Sequence, residues 1–318
     1  MTTYLHEGDI TLENGIKGET WQVETGNPVT FFQAISDPGS VPDATIFAQT
    51  FLPENAERVP LVLVVPGSLG IAPSHIYKAE LLTNAGIGTC LLDPFGSRNV
   101  ESTVANQAQY SFAASAWDVL AAVAALTGQP LVDAGRIGVQ GHSRGGAAAL
   151  SAASMAKFTR FQGKIAGVYA AYPWSGQQFL NPDVGSTRVR SIVGDQDEWC
   201  LPQQVQAHMQ ALALCGNDAS CRIVAGAHHS FDRGTPVELI QDASVAPSAP
   251  TIYIDDDGAS LHPVEGRTAS DTTERDLMLY GIKAGYGRRG AHLGTSGDQA
   301  DVFHADMMEF WRDCLGDG

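Results

Sequence analysis

Basic side chains and long apolar runs are scarce in this sequence. Of its 318 residues, 19 are Lys or Arg and 35 are Asp or Glu, so the formal net charge is −16. A charge of this sign repels nucleic acid and anionic membrane surfaces, and we expect neither as a partner. No apolar run reaches about 18 residues, so we expect no membrane-spanning helix. The chain start has neither the basic nor the apolar segment of a secretory signal, which favours a cytoplasmic location.

The cysteines do not form a recognisable framework. They number five and are spread over a large chain, whereas a disulfide scaffold needs an even set at regular spacing. Cys215 and Cys221 are close enough for a local bridge, but reduced thiols suit a chain without a secretory signal better. The sequence also lacks the C-x-x-C pair and the H-E-x-x-H helix of metal sites. We therefore expect no metal and no cofactor.

Apolar runs typical of buried strands alternate with helical segments over most of the chain. The predicted strands cover residues 60–65, 87–92, 165–171, 190–193 and 220–224. The predicted helices cover residues 74–85, 111–126, 202–214 and 299–315. This alternation predicts an α/β fold, with a mostly parallel sheet and helices on both faces. In such a fold, ligands bind at the carboxyl ends of the strands.

A short strand, a sharp turn and a small-residue helix meet at residues 137–150. The turn from Gly141 to Gly145 matches G-x-S-x-G, in which a serine lies on a strand-to-helix bend with its hydroxyl above the sheet. Glycine is needed two residues before and two after the serine, because the backbone segments approach too closely for a β-carbon. The motif predicts that Ser143 is a catalytic nucleophile.

Candidates for an acid and a base follow later strand ends. A serine hydroxyl needs a base to take its proton, and the base needs an orienting group. In this fold the three groups occur in the order Ser, acid, His. Asp195 and Asp197 follow one predicted strand, and His228 and His229 follow the next. The order of the residues leaves both choices within each pair open.

These motifs resemble the dienelactone hydrolase-like branch of the α/β-hydrolases, over roughly residues 60–231. The resemblance implies an α/β-hydrolase fold, with Asp197 of the G-x-x-D motif as the acid. His229, in a Gly-Ala-x-His-x-Phe motif, is the implied base. The oxyanion hole is expected to use the main-chain N–H of Arg144, the residue after the nucleophile. The resemblance points to Ser68 as the second donor.

One departure from that family changes the expected chemistry. Dienelactone hydrolases carry a cysteine nucleophile and a glutamate in the loop after the first parallel strand, where this chain has Ser143 and Gly67. The chemistry implied is therefore hydrolysis of a small or medium-sized carboxylic ester through an acyl-enzyme. A lactonase or thioesterase with the same triad is the alternative, and a non-catalytic binding protein of this fold is a further one.

Residues near the predicted strand ends are candidates for the substrate pocket. Tyr172 and Trp174 follow the strand at 165–171, Trp199 lies beside the predicted acid, and Arg98 lies beyond another strand end. Each is also of a type that often serves packing alone. The expected partner is a small-molecule ester.

Two regions depart from the strand–helix alternation. Residues 29–36 and 44–52 are rich in β-branched and aromatic residues, and the Asp-Pro-Gly-Ser stretch between them predicts a hairpin. Residues 232–297 are rich in Gly, Asp, Ser, Thr and Pro. They predict an irregular insertion, within a single domain spanning residues 1–318, that lines or covers the active site.

Overall fold

The computed structural model describes residues 4–54, 57–262 and 264–316. The strands, in chain order, are β1 (Glu19–Gly26), β2 (Asp43–Phe51), β3 (Val59–Val65), β4 (Gly88–Asp93), β5 (Val132–His142), β6 (Gly167–Ala171), β7 (Gln177–Phe179), β8 (Arg188–Gly194), β9 (Ala219–Val224), β10 (Glu238–Val245), β11 (Ile252–Ile254), β12 (Ser260–His262), β13 (Arg267–Ala269) and β14 (Arg288–Leu293). The α-helices are α1 (Phe31–Ser36), α2 (Pro73–Asn84), α3 (Phe112–Thr127), α4 (Arg144–Met155), α5 (Pro202–Leu214), α6 (Glu274–Lys283) and α7 (Gln299–Leu315).

Eight strands form the central sheet, in the order β1-β2-β4-β3-β5-β6-β8-β9. The pairs β1–β2 and β2–β4 are antiparallel, and all later pairs are parallel. Side chains along β3 alternate between two apolar clusters: Leu61 and Leu63 pack with α3 and α4, whereas Val62 and Val64 pack with α2 and α7. This burial of both faces explains why β3 is almost wholly apolar. The expected mostly parallel α/β sheet is confirmed.

The hairpin predicted for residues 29–52 was wrong. The side chain of Thr30 accepts a hydrogen bond from the main-chain N–H of Gln33 and caps α1, which occupies most of the expected first strand. A helix cap of this kind overrides the strand preference of nearby aromatic and β-branched residues. The second expected strand is present as β2, but it pairs with β1, which the sequence analysis does not predict.

The segment at 232–297 is not irregular, which corrects that expectation. Strands β10 and β14 pair with each other, and β11, β12 and β13 join β7 in a four-stranded sheet of order β13-β12-β11-β7. Helix α6 lies between β13 and β14. The short strands are stabilised by distant partners, such as the parallel pairing of β11 with β7, so a local sequence pattern does not reveal them.

Two further sequence expectations concern the thiols and the helices. Cys215 and Cys221 are free cysteines. None of the described helices combines the length and the apolar character needed to cross a bilayer.

Candidate active site

Ser143 lies on the predicted sharp turn, between the end of β5 and the start of α4. Its backbone has φ 54° and ψ −114°, a conformation that non-glycine residues rarely adopt. A β-carbon on Gly141 would lie 2.0 Å from the carbonyl oxygen of Gly145, and one on Gly145 would lie 2.3 Å from that of Val65. Both neighbouring positions therefore require glycine, and the strained turn is held by its surroundings.

A continuous chain of hydrogen bonds joins three side chains at the carboxyl end of the sheet. The Oγ of Ser143 lies 3.0 Å from Nε2 of His229, and Nδ1 of the same imidazole lies 2.8 Å from Oδ2 of Asp197. The second oxygen of Asp197 accepts the main-chain N–H groups of Trp199 and Cys200, each at 2.8 Å. Asp197 and His229 are almost fully buried. These contacts are the ones that a Ser-His-Asp triad requires.

The two alternative residues lie outside this chain of hydrogen bonds. Asp195 is exposed, and its carboxylate accepts the main-chain N–H of Gly226 at 2.7 Å. The ring of His228 lies against that of His292 instead. Asp195 lies two residues before Asp197, and His228 directly precedes His229. The side chains of Asp195 and His228 nevertheless contact other groups.

Aromatic rings hold the His229 imidazole on two sides. Trp199 stacks on it, with ring centroids 5.2 Å apart and planes at 16°, and Tyr172 meets it edge-on at 4.7 Å. The Tyr172 hydroxyl donates a hydrogen bond to Asp232 at 2.7 Å. Burial, together with this carboxylate, raises the pKa of Tyr172 well above its usual value. Tyr172 therefore packs against the imidazole and lines a second, smaller cavity at Ser143, whereas Trp199 lines both cavities.

The two expected oxyanion donors lie close to the nucleophile. Arg144 is the first residue of α4, so its main-chain N–H has no acceptor within the helix and lies at the positive end of the helix dipole. Ser68 lies in the loop after β3, and a β-carbon on its neighbour Gly67 would come within 3.2 Å of the Ser143 Cβ. Ser68, Ser143 and Arg144 line the same cavity.

The side chain of Arg144 is a buried cation in a residue that lines the cavity. Its guanidinium donates to the carbonyl and side-chain oxygens of Gln107, each at 3.1 Å, and to the carbonyl of Tyr110. It also packs on the ring of Phe112, 4.1 Å from the centroid. Burial lowers its pKa to about 10, so the group stays charged at neutral pH. Arg144 thereby fixes the loop before α3 against the strained turn.

A mainly apolar cavity of about 190 Å³ opens at Ser143. Trp174, one of the predicted pocket residues, lines it and stacks on Phe112 with centroids 4.4 Å apart. The segment at 232–297 supplies much of the remaining wall, including Val245, Ala249, Pro250, Leu277, Met278 and Ile282. These side chains make a concave apolar site of the kind that binds small molecules.

Glu274 is a wall residue that the sequence analysis misses. It is the first residue of α6, and its carboxylate accepts the main-chain N–H of Phe112 at 2.9 Å. Burial raises its pKa above the usual value for glutamate, against the opposing effect of the Arg144 charge. The capping box of Thr273 and Asp276 is the sequence feature that could have indicated a helix starting at Glu274.

Arg98 is placed away from this cavity, which corrects the expectation that it contacts substrate there. Its guanidinium forms an ion pair with the buried carboxylate of Asp118, at 2.8 and 3.0 Å, and packs on the ring of Tyr110. Among the described residues that line the cavity at Ser143, Arg98 is absent. The guanidinium therefore serves the ion pair with Asp118, and the position of Arg98 after a strand does not reveal this structural role.

One group of side chains next to the triad has the composition of a metal site. Glu198, His228 and His292 each offer a ligand atom, and these atoms lie within 4.8 Å of one another. The sequence predicts no metal, because the three residues match no short motif.

Comparisons with known proteins agree with this architecture. A dienelactone hydrolase-like promiscuous phosphotriesterase from metagenomic libraries has a TM-score of 0.57 at 15% identity, over 94% of this chain and 99% of its own. The esterase Est22 has a TM-score of 0.53 at 18% identity, over 69% and 74% of the two chains. At these identities the likeness shows the α/β-hydrolase fold alone. No curated protein matches the chain significantly. The model of the dienelactone hydrolase family matches residues 46–244, and the chain belongs to that family.

Proposed function

We propose that the protein is a serine hydrolase that cleaves carboxylic esters through an acyl-enzyme intermediate. The observation that carries the proposal is the hydrogen-bonded series of Ser143, His229 and Asp197, at 3.0 and 2.8 Å, with Ser143 lining an apolar cavity. Membership of the dienelactone hydrolase family supports hydrolysis of esters. An alcohol nucleophile beside an oriented imidazole is suited to acyl transfer without a cofactor.

The reaction proceeds in two halves. The Ser143 hydroxyl attacks the ester carbonyl as Nε2 of His229 takes its proton, and Asp197 stabilises the resulting imidazolium. The main-chain N–H groups of Arg144 and Ser68 bind the developing oxyanion. His229 then donates its proton to the departing alcohol. A water molecule, activated by the same imidazole, attacks the acyl-enzyme and releases the carboxylic acid.

The cavity favours an ester whose acyl or alcohol part is apolar and of small or medium size. Its walls are mostly aromatic and aliphatic, with Trp174 and Trp199 close to the nucleophile. Burial of such a group is worth roughly 25 cal/mol per Å² of apolar surface. Lactones and thioesters present the same carbonyl to the same groups, so substrate panels should include both.

Labelling with a fluorophosphonate probe, followed by peptide mapping, tests the proposal. We expect one adduct, on Ser143, and none in the Ser143→Ala variant. A folded protein that forms no adduct at Ser143 would overturn the serine mechanism. Hydrolysis of p-nitrophenyl acetate by the unlabelled protein then separates a hydrolase from a non-catalytic binding protein.

The two aspartates provide a matched pair of variants for the acid. Asp197→Asn preserves the size of the side chain but removes the charge that orients His229, and kcat is expected to fall about 10⁴-fold. Asp195→Asn changes an exposed carboxylate that contacts Gly226, and kcat should stay within about twofold of the parent, as for a surface substitution. A larger loss from the Asp195 change would refute the acid assignment.

A further inference from the structure

Glu198, His228 and His292 form a polar cluster that the proposed reaction does not use. Glu198 directly follows Asp197, His228 directly precedes His229, and His292 lies in β14. One ligand atom from each side chain lies within 4.8 Å of the other two. Three segments that are far apart in the sequence therefore meet at one point beside the triad.

The contacts within the cluster include a buried nitrogen that makes no hydrogen bond. Nδ1 of His292 lies 2.7 Å from Oε2 of Glu198, and the same oxygen accepts the main-chain N–H of His292 at 3.0 Å. Nδ1 of His228 is buried and has no hydrogen-bond partner among the described residues. A buried polar atom without a partner destabilises the folded state, because it has lost its contact with water and gained nothing in return. A ligand that accepts electron pairs from this nitrogen would remove that cost.

The donor set is that of a transition-metal site. Two imidazole nitrogens and one carboxylate oxygen are the ligands of many zinc sites, in which a water molecule occupies the fourth position. Tetrahedral ligands at about 2.1 Å from the ion lie about 3.4 Å from one another. Nδ1 of His292 and Oε2 of Glu198, 2.7 Å apart, therefore need to separate slightly to admit the ion, and the His228 nitrogen, within 4.8 Å of both side chains' ligand atoms, needs at most a modest shift towards them. All three side chains are partly exposed, which leaves room for rotation and for the entering ion.

Arg288 has two opposing effects on this cluster. Its guanidinium lies 2.7 Å from Oε1 of Glu198, so it holds the carboxylate with Oε2 turned towards His292. A ligating carboxylate oriented in this way is typical of metal sites. The positive charge also repels a cation, which weakens binding. The net charge of −16 acts in the other direction over longer distances, since it draws cations to the protein.

We propose that Glu198, His228 and His292 bind one divalent transition-metal ion of the zinc class. The ion takes the position of the hydrogen atom between Nδ1 of His292 and Oε2 of Glu198, and Nδ1 of His228 supplies the third ligand atom. The His292 imidazole then carries one proton, on Nε2, and any second proton is released to solvent. Bound there, it connects the loop of Asp197, the loop of His229 and β14. Since the unfolded chain does not hold these ligands together, the ion stabilises the folded protein.

Titration of the full chain with ZnCl₂ alone tests this site, with isothermal calorimetry and thermal unfolding as readouts. The exposed thiol of Cys215 is a competing zinc ligand, so all variants should carry Cys215→Ser. We expect one ion per chain and a rise in Tm of about 5 °C at saturation. No heat of binding and no change in Tm would overturn the proposal.

Histidine variants locate the ion. His228→Gln and His292→Gln should each weaken zinc binding about 100-fold or more, as expected for the loss of one ligand from a three-residue site. His262→Gln, in β12, is the matched control and should leave the affinity unchanged. His229→Gln should also bind zinc. If His229→Gln abolishes binding and His228→Gln does not, the ion occupies the catalytic imidazole and the proposed site is wrong.

A spectroscopic measurement on the protein with its three ligands intact keeps the test independent of variant folding. Cobalt(II) added to the protein should give the visible absorption of a four-coordinate nitrogen–oxygen site, and an equivalent of zinc should abolish it. Six-coordinate cobalt absorption would contradict the assigned ligands.

Discussion

Tyr172 donates a hydrogen bond of 2.7 Å to Asp232, and the edge of its ring supports the catalytic imidazole of the proposed triad. Asp232 also forms an ion pair with Lys78 of α2, and both charged side chains are completely buried. Burial alone would raise the pKa of Asp232, but the neighbouring ammonium group holds it well below the usual value. Tyr172 itself adopts a positive φ of 36°. Through its contacts with Tyr172 and Lys78, Asp232 therefore connects the loop of His229 to the end of β6 and to α2.

We expect Tyr172→Phe to lower both stability and turnover. The ring stays in place, but a buried carboxylate oxygen loses its donor, so the free energy of unfolding should fall by about 1–3 kcal/mol. A small shift of His229 should lower kcat about tenfold, since catalytic groups tolerate little displacement. Urea unfolding and p-nitrophenyl acetate hydrolysis measure the two effects.

Tyr169→Phe is the matched control for that variant. Tyr169 also donates to a buried carboxylate, that of Asp306 at 2.9 Å, but it contacts α7 instead of the triad. A comparable loss of stability is expected, with kcat within about twofold of the parent, as for a change away from the reacting groups. Equal losses of kcat in the two variants would show that Tyr172 has no positioning role.

Gly145→Ala should abolish folding or leave a severely destabilised, inactive protein. The added methyl group would lie 2.3 Å from the Val65 carbonyl oxygen and 2.5 Å from that of Pro66. These are backbone atoms and cannot rotate away, so we expect a loss of about 3 kcal/mol or more. Gly281→Ala is the control: its methyl group meets no heavy atom within 4 Å inside α6, and stability should rise by about 0.5–1 kcal/mol. An active Gly145→Ala protein would contradict this interpretation of the turn.

The elements best predicted from the sequence are those with strong local signals. The predicted helices at 202–214 and 299–315 coincide with α5 and α7, and Pro202 supplies a clear start because its missing N–H is not needed at the first helical position. The turn at Ser143 was predictable for a similar reason, since the close backbone approaches demand glycine at fixed spacing. The positions of aspartate and histidine after predicted strands also indicated candidates for the acid and the base.

Long-range pairing accounts for the wrong and missing predictions. The order of residues does not decide between Asp195 and Asp197, because only the direction of each side chain determines which one meets His229. Arg98 was expected near the substrate, yet its partner Asp118 lies in the second turn of α3, where no local pattern marks it. The sheet of β7 with β11 to β13 joins segments separated by a long stretch of chain, and so it has no local signature.

Stability should fall as the pH drops below about 6.5. Burial lowers the pKa of His142 to about 3 and that of His208 to about 4. An unfolded chain binds protons at both residues near pH 6.5, whereas the folded protein binds them only at much lower pH. The unfolded state therefore holds more protons between about pH 4 and 6.5, and each histidine lowers stability by up to about 1.4 kcal/mol per pH unit there.

Urea unfolding at pH 7 and pH 5 measures this effect. The His208→Gln variant should lose part of the difference between the two pH values, because one of the buried histidines no longer takes up a proton on unfolding. The direct effect of the substitution on packing is measured at pH 8, where histidines are neutral in both states, as the difference in unfolding free energy between the variant and the parent. Stability that is equal at pH 7 and pH 5 would contradict burial of neutral His142 and His208.

Ala249→Phe should narrow the range of esters accepted. Ala249 and Trp174 line the same cavity, so a larger side chain at Ala249 fills space that a long acyl group would occupy. We expect kcat/KM for p-nitrophenyl octanoate to fall about 10- to 200-fold, and that for the acetate to change little. Ala284→Phe adds the same bulk at the exposed end of α6 and should affect neither ester. An equal loss for both esters with Ala249→Phe would mean that this cavity does not hold the acyl chain.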